Sequence, residues 1–378
     1  MDFLKHKYLW YPLIALLVIV SIDKIFLLPV VLENTVLWKK IEPMFYESRY
    51  HLFDQLDDEY NQRTQDGEHL GVIFGSSRGG EFSAEDFAKA RPGAFTYNFS
   101  APLAPPSYFY YWLDRILGAG MQPGFVVVEA DPLLFGRSAV NYSLSYTYDA
   151  NFMLRNTDVY SRSGKGFRAE GRGFTLDEAE NFFLKRMFAL YRYPLSLDTI
   201  EENNAEHSAI VPGKGLVTIR GKDFKKNLTE IVRDANRRNL GGIPNPLKFS
   251  LPEAEIQKDA DRMEELHLVS GFPSTTQIIF FKKIIRRLAD ARVPVVVYWP
   301  LSAPQLRAKF EERNLIDTFQ KDLNRFLEET RARHPDAHVE FLDPYEDESL
   351  TCRTFIDASH LSGACFPEIT RRIVAKLP

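Results

Sequence analysis

"VIFGSSRGGEF", residues 72–82, runs from an apolar stretch straight into two serines, an arginine and two glycines. Val72, Ile73 and Phe74 close a short run, "HLGVIFG" (69–75), that ends in glycine, which is the pattern of a buried strand. The residues after Phe74 carry turn chemistry, because Ser and Gly tolerate tight backbone. Two readings suit it. Either these are only turn residues, or Ser77 is a nucleophile presented at the carboxyl end of a strand. The rest of the chain decides between them.

Working outward, strand and helix signals alternate. "AFTYNFS" (94–100) and "GFVVVEADP" (124–132) read as the second and third strands, "PVVVYWP" (294–300) and "HVEFLDP" (338–344) as the fourth and fifth. Helices are expected between and after them, at 83–90 behind an N-cap Ser83, at 105–120, at 275–293, as one long helix at 304–333, and at 366–377. Five apolar strands separated by helices predict an α/β fold with a doubly wound, five-stranded parallel sheet. In such sheets sites gather beyond the carboxyl ends of the strands. Ser77 lies at that end of the first strand, and Asp-Pro follows the third and the fifth. Residues 135–270 interrupt the alternation and read as a mainly helical insertion, with helical patterns at 176–195 and 253–269. Its tyrosines at 142–148 suit either a sugar-stacking face or simple packing.

The chain has 378 residues, 45% hydrophobic and 26% charged, an ordinary globular composition. A formal net charge of −4 argues against a nucleic-acid partner, which wants a concentrated basic face. "KDFKK" (222–226) and "RRL" (286–288) read as solvated helix faces. The N-terminus departs from a soluble protein. "YLWYPLIALLVIVSI" (8–22) is nearly all apolar, Asp23 and Lys24 interrupt it, and "IFLLPVVL" (25–32) resumes. A spanning helix needs roughly 20 apolar residues, so 8–28 suffices if Asp23 and Lys24 pair or reach the interface. Residues 1–32 are therefore expected to be an uncleaved membrane anchor, 33–68 a helical neck, and 69–378 the α/β domain. Lys5, His6 and Lys7 precede the span, and the positive-inside rule then leaves the domain outside the cytoplasm. Lys39 and Lys40, beyond the other end, weigh the opposite way. Expected, then, is a single-pass inner (cytoplasmic) membrane protein with a periplasmic or extracellular domain. Of the two cysteines, Cys352 and Cys365, the sequence permits either a short disulfide loop or two packed thiols.

A serine needs a base, and the base needs an orienting carboxylate. Of eight histidines, His360 stands apart: it lies in "FIDASHLSGACF" (355–366), after the last strand, with Asp357 three residues before it. That spacing lets the carboxylate accept from the ring Nδ1–H and leaves Nε2 to face a serine. No two histidines have ligand spacing near a carboxylate at a strand end, so no metal site and no cofactor are expected.

"FGSSR" (74–78), "YNFSAPLAP" (97–105) and "DASHLS" (357–362) together resemble the first, second and fifth blocks of the SGNH (GDSL-like) hydrolase superfamily, over about 69–135 and 275–378. The resemblance implies Ser77 as nucleophile with His360 and Asp357. It also implies an oxyanion hole from Ser77, Ser100 and Ala101. Ser76, Arg78 and Asp131 are candidate substrate contacts, Arg78 being suited to an anionic group such as a uronate or phosphate. It leans toward membrane-anchored branches such as the D-alanyl-lipoteichoic-acid transfer and alginate O-acetylation proteins. The partners implied are an acylated envelope polysaccharide or lipid and a membrane-bound acyltransferase. The third block departs from the pattern. Glu129, Ala130 and Asp131 stand where an asparagine would donate to the oxyanion, and an ionised carboxylate repels one. Another donor is then required from Ser76, Arg78 or backbone N–H groups, or the protein binds polysaccharide, or scaffolds an envelope assembly, without turnover. Arg78 alternatively pairs with Glu81 on the surface. A Cys352–Cys365 disulfide would pin the loop carrying Asp357 and His360 at both ends.

Overall fold

A computed structural model describes residues 7–136, 140–211, 215–245, 250–268 and 272–378; Lys5 and His6 of the basic flank lie outside them. Its strands are β1 (His69–Phe74), β2 (Ala94–Asn98), β3 (Phe125–Glu129), β4 (Glu206–Val211), β5 (Gly215–Arg220), β6 (Val295–Tyr298) and β7 (Val339–Leu342). Five of them form one sheet in the order β2-β1-β3-β6-β7, every neighbouring pair parallel. β4 and β5 pair separately as an antiparallel hairpin.

Successive side chains of each central strand feed opposite layers. Val72 and Phe74, Val126 and Val128, and Val295 and Val297 enter one core cluster. Ile73, Val127 and Val296 enter the other. A strand buried on both faces reads as a continuous apolar run, which is why these strands stand out in the sequence. The larger layer is built from the helices Pro106–Gly118, Thr275–Asp290 and Lys321–Arg333; the smaller from Ala84–Ala90 and Phe366–Ala375.

Several expectations are revised. The long helix at 304–333 is broken into Pro304–Glu312 and Lys321–Arg333 by a π-helical turn, Ile316–Gln320. Asn314, at φ 53°, ends the first piece in a left-handed conformation that asparagine tolerates better than most residues. The insertion is mainly helical but also contains the β4–β5 hairpin, which closes a small core with Trp38, Phe224, Leu228 and Val232. The neck forms a 24-residue helix, Glu42–Gln65, that is not a free stalk: Tyr46, Leu52, Phe53 and Leu56 pack into the main core.

At the N-terminus a helix covers Lys7–Ile25 and a second covers Pro29–Thr35, the two bent by 72°. No single helix among the described residues is long and apolar enough to cross a membrane; only the bent pair passes together. The continuous span expected over 8–28 is thus interrupted. Asp23 and Lys24 do pair, at 3.3 Å, and Asp23 accepts from the backbone N–H of Ala189 and Leu190 at 2.6 and 2.9 Å.

Candidate active site

Ser77 opens a 3₁₀ turn, Ser77–Gly79, directly beyond β1. Gly75 makes the passage possible: a Cβ there would lie 2.8 Å from both a Glu129 carboxylate oxygen and Ser100 Oγ. β1 sits between β2 and β3, so the chain leaves β1 and β3 in opposite directions across the sheet. Such a switch point opens a crevice at the carboxyl strand ends, and Ser77 stands in it. Asn98, at the end of β2, ties the turn down by donating to the carbonyls of Gly79 (2.9 Å) and Phe82 (3.2 Å).

The partner loop lies beyond β7. Its ends are held by Ile356 N–H donating to His360 O at 2.8 Å and Ser362 N–H donating to Thr354 O at 2.7 Å. Cys352 and Cys365 are bonded and bracket it, with Cα atoms 5.2 Å apart. Within the loop, Asp357 Oδ1 accepts from the backbone N–H of Ser359 (2.9 Å) and His360 (2.8 Å). Both carboxylate oxygens lie 2.9 Å from His360 Nδ1. The other ring nitrogen, Nε2, lies 2.7 Å from Ser77 Oγ across 283 residues of sequence. With Nδ1–H donating to Asp357, Nε2 is left as acceptor for the serine hydroxyl. Ser77, His360 and Asp357 are thus brought into one chain of hydrogen bonds.

The chain belongs to a family of proteins of unknown function, DUF1574, whose model matches residues 3–377. No curated protein matches it.

In this DUF1574 chain the electrostatics of the three groups are coupled. Burial pushes Asp357 upward, but the charge and ring N–H of His360 and two backbone N–H groups outweigh it and hold the carboxyl well below its ordinary range. His360 is pulled down by burial and raised on balance by the Asp357 carboxylate, against Arg78 and with Glu81. A raised imidazole beside a lowered carboxylate is what an oriented base requires.

The residues expected to contact substrate are engaged elsewhere. Arg78 is buried and spans Glu129 (2.7 Å) and Asp131, to whose Oδ1 it donates at 2.6 Å. Ser76 donates both its N–H and its hydroxyl to Glu129, each at 2.8 Å. Arg78 and Asp131 therefore satisfy each other, and Arg78 does not pair with Glu81. A buried guanidinium with two carboxylates needs this closure, since any one of the three alone would be an uncompensated charge. The third strand end is a structural ion cluster.

Two of the amides expected to face an oxyanion are already bonded. Ser100 N–H donates to Asn98 Oδ1 at 3.0 Å and Ala101 N–H to Gly75 O at 3.1 Å, so neither amide is free. Ser77 N–H has no acceptor among the described residues. Ser100 Oγ is buried and has no hydrogen-bond partner among the described residues. Ser100 lines, with Ser76, Ser77, Glu81 and Ala101, a cavity of about 150 Å³ walled by Ile41, Phe45, Pro102 and Ile243. On the other side of Ser77 a cavity of about 60 Å³ is lined by Leu103, Leu133, Met263, His267 and His360. Leu103 adopts φ 56°, a conformation that costs a branched side chain free energy and concentrates at working sites.

The sequence does not single out Glu81. One of its carboxylate oxygens is buried with no hydrogen-bond partner among the described residues. Burial, opposed by His360 and reinforced by Asp357, pushes its pKa up to about 7. Only three-dimensional proximity to His360 reveals it. The tyrosines at 142–148 resolve toward packing: Tyr146 and Tyr148 lie in the main core.

Proposed function

We propose that this protein is an SGNH-like serine esterase or O-acyltransferase, held at a membrane by its N-terminal helices and acting on acyl esters of an envelope glycan or lipid outside the cytoplasm. The observation that carries it is the Ser77–His360–Asp357 chain, at 2.7 and 2.9 Å, at the switch point of a doubly wound sheet. In this reading His360 Nε2 takes the Ser77 proton as Oγ attacks the acyl carbonyl. Asp357 keeps the ring in the tautomer that leaves Nε2 free and stabilises the imidazolium formed. Among the described residues, Ser77 N–H and the Ser100 hydroxyl are candidate donors to the oxyanion, in place of the amides that are already bonded. Two cavities flanking the serine suit an acyl group on one side and the alcohol on the other. The disulfide around the loop supports an oxidising compartment.

A second reading, a binder without turnover, is favoured by the loss of the third-block donor to the Arg78 cluster. A fluorophosphonate probe separates the two. Labelling of the wild type, lost in Ser77→Ala and His360→Ala, is expected of the enzyme; a folded wild type that takes no label would leave the binder.

A further inference from the structure

Asp23 is where the apolar helix meets the domain. If the helix before it lies in hydrocarbon, as the anchor reading requires and on which this inference rests, Asp23 marks the boundary. Its two backbone donors, the N–H groups of Ala189 and Leu190, are 2.6 and 2.9 Å away and must lie at that boundary too. Lys24 beside it donates to the carbonyl of Met187. The domain is therefore in contact with the end of the anchor and not tethered at a distance from it.

The residues around this junction are apolar and exposed. Met187, Leu190 and Tyr191 surround the contact with Asp23, at 57, 36 and 49% exposure. The helix Leu197–Asn204 carries Leu197 and Ile200, and Leu197 is 83% exposed. That helix is fixed to the chain just after the anchor, since Asn203 donates to the carbonyls of Glu33, Asn34 and Val36. The Pro29–Thr35 helix lies at 72° to the first helix, so with the first upright it lies nearly flat, and Leu28 and Val30 there are exposed. A short helix lying flat with apolar residues outward is how interfacial segments sit. Exposed apolar residues scattered singly need no explanation, but these share one end of the molecule with the anchor.

We propose that this end, Met187–Ile200 of the insertion together with Leu27–Val30, is a membrane-contact face that lays the domain on the lipid surface. The neck then sets which end of the sheet faces the bilayer. It runs about 36 Å from Glu42 to Gln65 and delivers the chain to the start of β1. Ile41 and Phe45, at its beginning, wall the cavity beside Ser77. From Thr35 to Ile41 the chain reaches at most about 20 Å. The serine end of the sheet is the membrane-proximal end, and the site addresses substrates carried at or near the lipid surface.

The test uses the full chain in vesicles of phosphatidylcholine and phosphatidylglycerol containing a nitroxide-bearing lipid. Both native cysteines are bonded, so an environment-sensitive fluorophore is placed on Leu16→Cys in the anchor, Leu197→Cys on the face, or Asp336→Cys before β7. All three sites are well exposed, and far-ultraviolet circular dichroism checks each fold. Expected is quenching of about two-fold or more at 16 and 197 and none at 336. Quenching at 16 without 197 would overturn the face and leave the anchor standing. No quenching at 16 would overturn the anchor itself, and equal quenching at 336 would overturn the orientation.

Discussion

Ser100→Ala separates catalytic from structural roles because the two predict opposite signs. The Ser100 and Ala101 amides are spent on Asn98 and Gly75, which leaves the Ser77 N–H and the Ser100 hydroxyl as candidate oxyanion donors among the described residues. Losing one of two such donors is expected to slow acylation of Ser77 by about 10²–10³-fold. In the free protein the same hydroxyl is buried with no partner among the described residues, and an unpaired buried hydroxyl costs about 1–3 kcal/mol. Removing it leaves only a one-atom void, so the variant should be as stable as the wild type or about 1 kcal/mol more stable. The assay pairs the second-order rate of fluorophosphonate labelling with denaturant unfolding. Slower labelling with unchanged or raised stability is the expected outcome. An unchanged labelling rate would refute the donor role, and a marked loss of stability would show that the hydroxyl has a partner in the folded state.

Three further outcomes rest on the same geometry. Labelling should rise with pH through a midpoint above 6.5, because Asp357 raises His360 and the base must be unprotonated; Asp357→Asn should bring that midpoint down and cut the rate by about 10⁴-fold. Glu81→Gln should stabilise the protein above pH 7 and converge with the wild type below pH 4.5, since a carboxyl raised from 4.5 to about 7 is disfavoured when ionised and the penalty grows across that window. The full difference corresponds to about 3 kcal/mol, roughly halved for partial exposure, and urea unfolding at both pH values measures it. Reduction, or paired Cys352→Ser and Cys365→Ser changes, should cost about 3 kcal/mol in unfolding experiments, given the 13-residue separation of the bridge; an effect below about 1 kcal/mol would mean that the loop is already held by its backbone bonds.

The parallel strands are legible in the sequence for a physical reason: each is apolar on both faces, so no alternation hides the run. The Asp357–His360 pair is legible because its geometry is local, three residues apart on one loop. Other features depend on contacts across the fold. Whether Arg78 faces solvent, substrate or a carboxylate is decided by Glu129 and Asp131, far along the chain at the end of the neighbouring strand. The use of the Ala101 amide depends on where the chain after β2 passes Gly75. The hairpin β4–β5 escapes the strand pattern although "IVPGKGLV" has the Pro-Gly composition of a turn between apolar runs. The break near Asn314 leaves a helical pattern on both sides and so is hidden from periodicity.

On the SGNH-like reading, the third strand end then takes on a different meaning. An asparagine there would both donate to an oxyanion and need little support. Glu129 does neither, but it accepts the N–H and hydroxyl of Ser76 and the guanidinium of Arg78, the residues on either side of Ser77. Burial raises Glu129 while Arg78 opposes it, so the cluster is stable only with all its bonds made. Those bonds clamp the serine turn from both flanks, and Asn98 holds its far end. On that reading the position trades a donor for rigidity of the proposed nucleophile's backbone. On that reading, what remains for charge stabilisation among the described residues is the Ser77 N–H, whose direction that same clamp determines, and the buried Ser100 hydroxyl.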